Sequence, residues 1–201
     1  SLDPVISTQG ASIFLVYVDA TQGWVATQDD SSIFSGEAFI TATGGTITTC
    51  GNFKIHTFTG PGTFTVCSVG NPAGSNTVND LIVAGGGGGG YDGGGAGGAG
   101  GLRTNSATPV TAQSYPITVG GGGAGAVPAQ TGGTGVNSVF SITTSAGGGG
   151  GGTPNPSTCV AYGVNGGSGG GGARRQPASV GGSGNTPPVS PPQGNPGGAG
   201  G

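Results

Sequence analysis

Through residues 1–84 apolar and polar residues alternate in short runs, the two-residue period of half-buried strands. SIFLVYVDA (12–20), the turn TQG and WVATQ (24–28) predict a strand, a short turn and a second strand. AFITATGG-TITTC (38–50) reads the same way, with Gly44 and Gly45 at the turn. NFKIHTFTGPGTFTVCSV (52–69) alternates on both sides of Gly60-Pro61-Gly62, which is a hairpin signal. DLIVA (80–84) predicts a buried strand that runs straight into glycine. No segment carries a helical period.

At Gly85 the pattern changes. The chain holds 52 glycines in 201 residues, and only 10 of them precede Gly85. Runs such as Gly85–Gly90, Gly120–Gly123 and Gly147–Gly152 have no side chains with which to fill a core. Such a segment is a linker, or an ordered structure built from backbone. Disordered segments keep in solution through charge and carry few apolar residues. Here charged residues are 5% of the chain, the net charge is -3, and Val110, Tyr115, Ile117, Val119, Val136, Val139, Phe140 and Ile142 lie among the glycines. They gather in SYPITV (114–119) and NSVFSI (137–142), whose β-branched and aromatic content predicts short strands. A linker has no use for them. Glycine loses more backbone freedom on ordering than any other residue, so close backbone contacts must compensate. Polyproline-II-type helices make no internal hydrogen bonds and leave their amides for neighbouring helices. Collagen does not fit, because no strict Gly-X-Y period runs through GGGAGGAGG. The predicted fold is an all-β module over 1–84, followed over 85–201 by a glycine-rich bundle of polyproline-II-type helices with short strands, and almost no α-helix.

The glycine runs are interrupted at particular places. Gly85–Gly90 and Gly93–Gly101 flank Tyr91-Asp92. Gly120–Gly125 and Gly132–Gly135 flank Val127–Thr131. Gly147–Gly152 and Gly163–Gly172 flank TPNPSTCVAY (153–162). Each predicts a glycine segment going out, a turn bearing chemistry, and a glycine segment returning; at the polyproline-II rise a six-residue run reaches about 19 Å. The strands at 107–119 and 136–144 would then pair beside DLIVA. Tyr91, Asp92, Gln130, Tyr162, Arg174 and Arg175 are the candidate binding residues, because they bring aromatic surface and charge to otherwise featureless ends. For the two arginines, bonding to the carbonyls that end a glycine segment is an equal alternative.

Other chemistry is thinly represented. Gly85, Gly87 and Gly90, and again Gly95, Gly97 and Gly100, satisfy G-x-G-x-x-G, but a phosphate loop requires a helix directly after it, which Tyr91-Asp92-Gly93-Gly94-Gly95 does not start. The single histidine, His56, sits within a strand and leaves no set for a metal or a nucleophile–base pair. No catalytic residue, metal or cofactor is expected. Three arginines in the glycine half of an acidic chain do not suit nucleic acid. No apolar stretch approaches membrane-spanning length. Of Cys50, Cys67 and Cys159, the first two lie on predicted neighbouring strands and are either bridged or buried free thiols. The ends SLDPVIS and GNPGGAGG read as breaks within a pattern, which predicts a piece of a longer or processed polypeptide.

LVYVDATQGWVATQDD (15–30) resembles the distal segments of tail-fibre proteins of marine tailed phages. KIHTFTGPGTFTV (54–66), DLIVAGGGGGG, GGLRTNSATPVTAQSYPITVGGGGAGA and VNSVFSITTSAGGGGGG follow one another as in the glycine-rich domain common at fibre ends. The resemblance covers roughly residues 15–152; the proline-richer 153–201 departs from it. The architecture is also similar to detachable tip adhesins of T-even-like phages, in which polyglycine helices stack and their loops touch the host receptor. What the resemblance implies is a non-enzymatic receptor-binding module in the virion. Its β part would anchor to the fibre as a homotrimer, and its tips would meet a polysaccharide or outer-membrane protein of the host. It supplies no receptor residues to carry over. Two rival expectations are a structural subunit of a virion, filament or surface layer with the bundle as spacer, and an ice-binding protein. The second would need threonines or alanines in register, and here the threonines fall irregularly. Phe14, Val16 and Val18 on one side and Ile13, Leu15 and Tyr17 on the other make SIFLVYV apolar on both faces, so residues 1–40 are expected to engage neighbouring copies.

Overall fold

GTFTVCS alternates small polar residues with Phe64 and Val66, and it forms β6 (Gly62–Ser68) with those two side chains buried. A computed structural model describes residues 15–21, 23–26, 39–71, 74–154, 162–174 and 179–201. Among them there are strands and no helix. β1 (Leu15–Asp19) and β2 (Gly23–Ala26) form the expected antiparallel ribbon. β3 (Thr41–Thr43), β4 (Thr46–Cys50) and β5 (Phe53–Thr57) precede β6. After it come β7 (Thr77–Val83), β8 (Leu102–Pro109), β9 (Ser114–Thr118), β10 (Ser138–Phe140) and β11 (Thr143–Ser145). A five-stranded antiparallel sheet has the order β11-β10-β9-β6-β3, and β4–β5 and β7–β8 are two-stranded.

The core lies between the large sheet and β7–β8. Phe64, Val66, Ile82, Val110, Tyr115 and Phe140 are buried there, with Ile40, Ala42, Phe58, Val78 and Ile117 packed against them. Phe64, Tyr115 and Phe140 meet pairwise at ring separations of 5.9 to 6.5 Å, in the tilted and edge-on geometries that aromatic quadrupoles favour. His56 Nδ1 lies 2.8 Å from the Gly44 carbonyl and its ring meets Phe64 edge-on, so this histidine ties β5 to the core.

Several pairings differ from those the sequence suggests. Gly44-Gly45 does not join β3 to β4 as a hairpin, since β3 pairs with β6 and β4 with β5. Gly60-Pro61-Gly62 likewise does not pair β5 with β6. Gly44 (φ 108°) and Gly45 (φ 64°) instead carry the chain past β5 and β6, where a Cβ on Gly45 would stand 2.6 Å from the Thr57 carbonyl. Segment 107–119 is two elements, of which the end of β8 pairs with β7 while β9 pairs with β6 and β10. DLIVA is buried on one face only: Ile82 faces the core, whereas Leu81 and Val83 are exposed. Cys50 and Cys67 are neither bridged nor buried; both are free and exposed, on β4 and β6 of different sheets. Cys159, and residues 12–14 of SIFLVYV, lie outside the described residues, while Val16, Tyr17 and Val18 are about half exposed.

Glycine segments grow out of the strand pairs. β7 and β8 hand over to 84–90 and 94–101, joined by the Ala84 amide to the Gly101 carbonyl. β9 and β10 hand over to 120–126 and 132–136, and β11 runs into 146–152. Hydrogen bonds between these segments recur every third residue. Ala84, Gly87 and Gly90 donate to Gly101, Gly98 and Gly95, while Gly85 and Gly88 donate to Val136 and Gly133. The carbonyls of Gly85 and Gly88 accept from Gly148 and Gly151, and those of Gly86 and Gly89 from Gly123 and Ala126, all at 2.8–3.0 Å. Each position in a triplet thus faces a different neighbour.

The buried run Gly147–Gly152 lies at the centre, bonded to 84–90, 94–101, 132–136, 164–167 and 168–171. A Cβ on Gly147 or Gly150 would strike the carbonyl of Gly135 or Gly132; one on Gly148 or Gly151 would strike that of Gly98 or Gly95. Side chains are excluded here because neighbouring backbones occupy their place. The base end is closed by 184–193, where Asn185 Oδ1 accepts from the Val189 and Gln193 amides and buried Gln193 accepts from the Ala146 amide through Oε1 (2.8 Å).

Candidate functional site

Among the described residues, the glycine segments 84–90 and 120–126 leave the strand base for one end of the bundle and turn there. Gly90 donates to Gly95 (2.8 Å), and between them Tyr91-Asp92-Gly93 makes the first tip. Asp92 (φ 37°) and Gly93 (φ 76°) both take positive φ, a region that glycine enters freely and aspartate more readily than most residues. The second tip, Val127–Thr131, closes with the Gln130 amide on the Val127 carbonyl (3.0 Å). Because Ala126 donates to Gly89, this tip emerges beside the first. The run 146–152 reaches the same end at Thr153; residues 155–161 lie outside the described residues, and the chain is described again from Tyr162, with Val164 donating to Gly150. Exposed Arg174 and buried Ser179 border residues 175–178, which lie outside the described residues. Gly172 donates to Gly198, so the last glycines of the chain reach the same end.

Two bonds stitch these tips together. The Tyr91 amide donates to Thr153 Oγ1 (2.8 Å), and Thr153 is itself buried. The Arg174 amide donates to the Gly93 carbonyl (3.0 Å). Cγ, Cδ and Nε of Arg174 also occupy the space that a Cβ on Gly93 would need. Gly93 therefore serves twice, once for its backbone angle and once as the floor beneath the arginine stem.

The sequence candidates fall as follows. Tyr91 is 45% exposed and Tyr162 51% exposed, and Asp92, Gln130 and Arg174 are exposed at the same end. Tyr91, Asp92 and Arg174 share one corner through Gly93; Gln130 stands on the neighbouring tip, and Tyr162 directly follows residues 155–161, which lie outside the described residues. Arg175 lies outside the described residues. Of the alternative role for the arginines, one element is present: the Arg174 backbone amide, not its guanidinium, reaches the Gly93 carbonyl. Thr153 and Gly93 were not legible as parts of the site. Thr153 carries the one available signal, a hydroxyl placed directly after a glycine run whose neighbours have amides to satisfy.

The sequence profile of a family described as a glycine-rich domain matches residues 57–201, nearly three quarters of the chain. The match includes 153–201, the segment that departs from the fibre-end pattern. No curated protein and no solved structure matches the chain.

Proposed function

The chain belongs to the glycine-rich domain family, and from that premise we propose that it is the distal receptor-binding module of a phage tail fibre, acting by adhesion and without catalysis. The observation that carries the reading is that the tips at Tyr91–Gly93 and Val127–Thr131, together with Thr153 and Arg174, meet at one end of a scaffold made from backbone. A scaffold of this kind has almost nothing of its own to bind with, so recognition belongs to the loops it presents. In this reading the glycine segments are polyproline-II-type helices. The support is the three-residue recurrence of their hydrogen bonds and of their blocked Cβ directions, which matches a helix with three residues per turn. The β base anchors the module to the fibre as a homotrimer. Exposed Val16, Tyr17, Val18, Phe39, Phe53, Leu81 and Val83 there are apolar surface of the kind that other subunits cover. The partner is a surface receptor of a bacterial host, reached outside the cell from the virion.

Labelled protein incubated with a panel of bacterial cells tests the reading. A subset of strains should bind it, and the double substitution Tyr91→Ser, Tyr162→Ser should lower binding about tenfold or more, since exposed aromatics dominate many interfaces. Those side chains are half exposed, so folding should be unaffected. A double variant that binds like the parent would remove the tips from the account.

A further inference from the structure

The corner where the first tip meets Arg174 holds two opposite charges that do not satisfy each other. Asp92 precedes Gly93, and Arg174 lies across Gly93. Among the described residues they nonetheless form no ion pair, and no side-chain partner takes up either group. Arg174 is rooted on wholly buried Ala173 and held by its amide to Gly93, with its stem laid on the glycine floor. Tyr91 is fixed by its amide to buried Thr153 and leaves 45% of its surface outside. The backbone beneath all three is locked while their functional groups remain open.

We infer that this corner binds a saccharide through a pair of adjacent hydroxyls; the inference rests on the tip-binding reading above. The carboxylate offers only acceptors and the guanidinium only donors, held on either side of one residue. A ligand that uses both must donate and accept from neighbouring atoms, and a vicinal diol does so: one hydroxyl donates a hydrogen bond to Asp92 while the other accepts one from Arg174. The paired charges cancel, so the corner selects for a hydroxyl-rich neutral ring over a phosphate or carboxylate, which Asp92 would repel. Tyr91 supplies an aromatic face for the C–H side of the ring. A protein receptor favours an apolar centre to its patch, and among the described residues of this corner Tyr91 alone brings a large apolar surface to a floor of glycine backbone.

Periodate cleaves vicinal diols and leaves protein receptors standing, whereas protease digestion does the reverse. The full chain is labelled and bound to cells before and after each treatment. Periodate should lower binding at least about tenfold and protease should leave it within about twofold. Asp92→Asn and Arg174→Lys should each weaken binding to untreated cells about tenfold, because each removes a charge-assisted or forked hydrogen bond. Melting temperatures equal to the parent's would confirm that these variants fold. Binding that survives periodate and is abolished by protease overturns the saccharide. If the Tyr91→Ser, Tyr162→Ser variant still loses binding in that case, the tip reading stands while this inference falls. Absence of binding to any cell removes both.

Discussion

Replacing Gly150 by alanine adds one methyl group, and the architecture makes that group intolerable. Gly150 is buried at the centre of the bundle, and its Cβ would stand well inside 3.0 Å of the Gly132 carbonyl, a distance real Cβ atoms essentially never show. The obstacle is backbone on a neighbouring segment, so no rotamer can yield. Relief requires 132–136 to draw away from 146–152. That movement strains the bonds from Gly132 to Gly151 (2.9 Å) and from Gly135 to Gly148 (2.8 Å). Overpacking costs about 1–3 kcal/mol, and two weakened bonds add about 1 kcal/mol each. The expected loss is about 3–5 kcal/mol, a large share of the roughly 5–15 kcal/mol that holds a domain together. Gly121 and Gly125 are the controls, since a Cβ there would meet nothing within 4 Å. At those positions alanine restricts the unfolded chain and changes stability by less than about 1 kcal/mol, in the favourable direction. Calorimetric melting should show Gly150→Ala lowered by about 6–20 °C, at about 2–4 °C per kcal/mol for a chain of this length. Gly121→Ala and Gly125→Ala should melt at or slightly above the parent. Equal melting of all four proteins would refute the close-packed account, and so would edge substitutions as damaging as the central one.

Other expectations follow from single contacts. Gln193→Leu leaves the Ala146 amide without its acceptor and opens the base cap, so urea unfolding should show a loss of about 1–3 kcal/mol with the sheet core intact. Tyr115 takes the Thr111 amide on its hydroxyl (2.8 Å), and the Thr111 side chain, its backbone and Gln113 together hold the phenol below the ordinary value of 10.0 against the opposing effect of burial. A depressed folded-state value means that ionisation favours the fold: this contribution is complete above the unfolded value and is lost as pH falls through the folded one. Phenolate absorbance should therefore show one tyrosine titrating early, and Tyr115→Phe should abolish that component and lower stability by about 1 kcal/mol. Cys50 and Cys67 are exposed, so a thiol reagent should label both in the native protein without a denaturant; protection of either would contradict the placement of β4 and β6.

What could be read from the sequence was local. SYPITV and NSVFSI became β9 and β10 because β-branched and aromatic residues in a glycine background have few other uses. The first two tips were legible because a side chain in a lattice without room for side chains has to stand at its end. Pairing was not legible, because it is set over long separations. β6 finds β9 through Phe64 opposite Tyr115, 51 residues on, and no turn near Gly60 foretells it. Two adjacent glycines at 44 and 45 looked like a hairpin turn, yet their positive φ serves a close crossing over the carbonyls of Thr57 and Thr63. The cap around Asn185 and Gln193 was hidden for a related reason: its partners, Ala146 and Gly167, are meaningful only once the bundle has an end to close.

The central claim is that the glycine segments form an ordered lattice whose hydrogen bonds recur by threes, with the tips at one end. Residue-resolved amide exchange over 120–126 tests it most directly. Gly120, Gly123 and Ala126 donate to Ser138, Gly86 and Gly89, whereas among the described residues Gly121, Gly122, Ala124 and Gly125 donate to nothing. The account predicts slow exchange at 120, 123 and 126 and fast exchange at the four positions between them, with near-complete protection through Gly148, Gly149, Gly151 and Gly152. Uniformly fast exchange across both runs would show a flexible tether and contradict the lattice, and protection alternating by twos would replace it with an ordinary sheet.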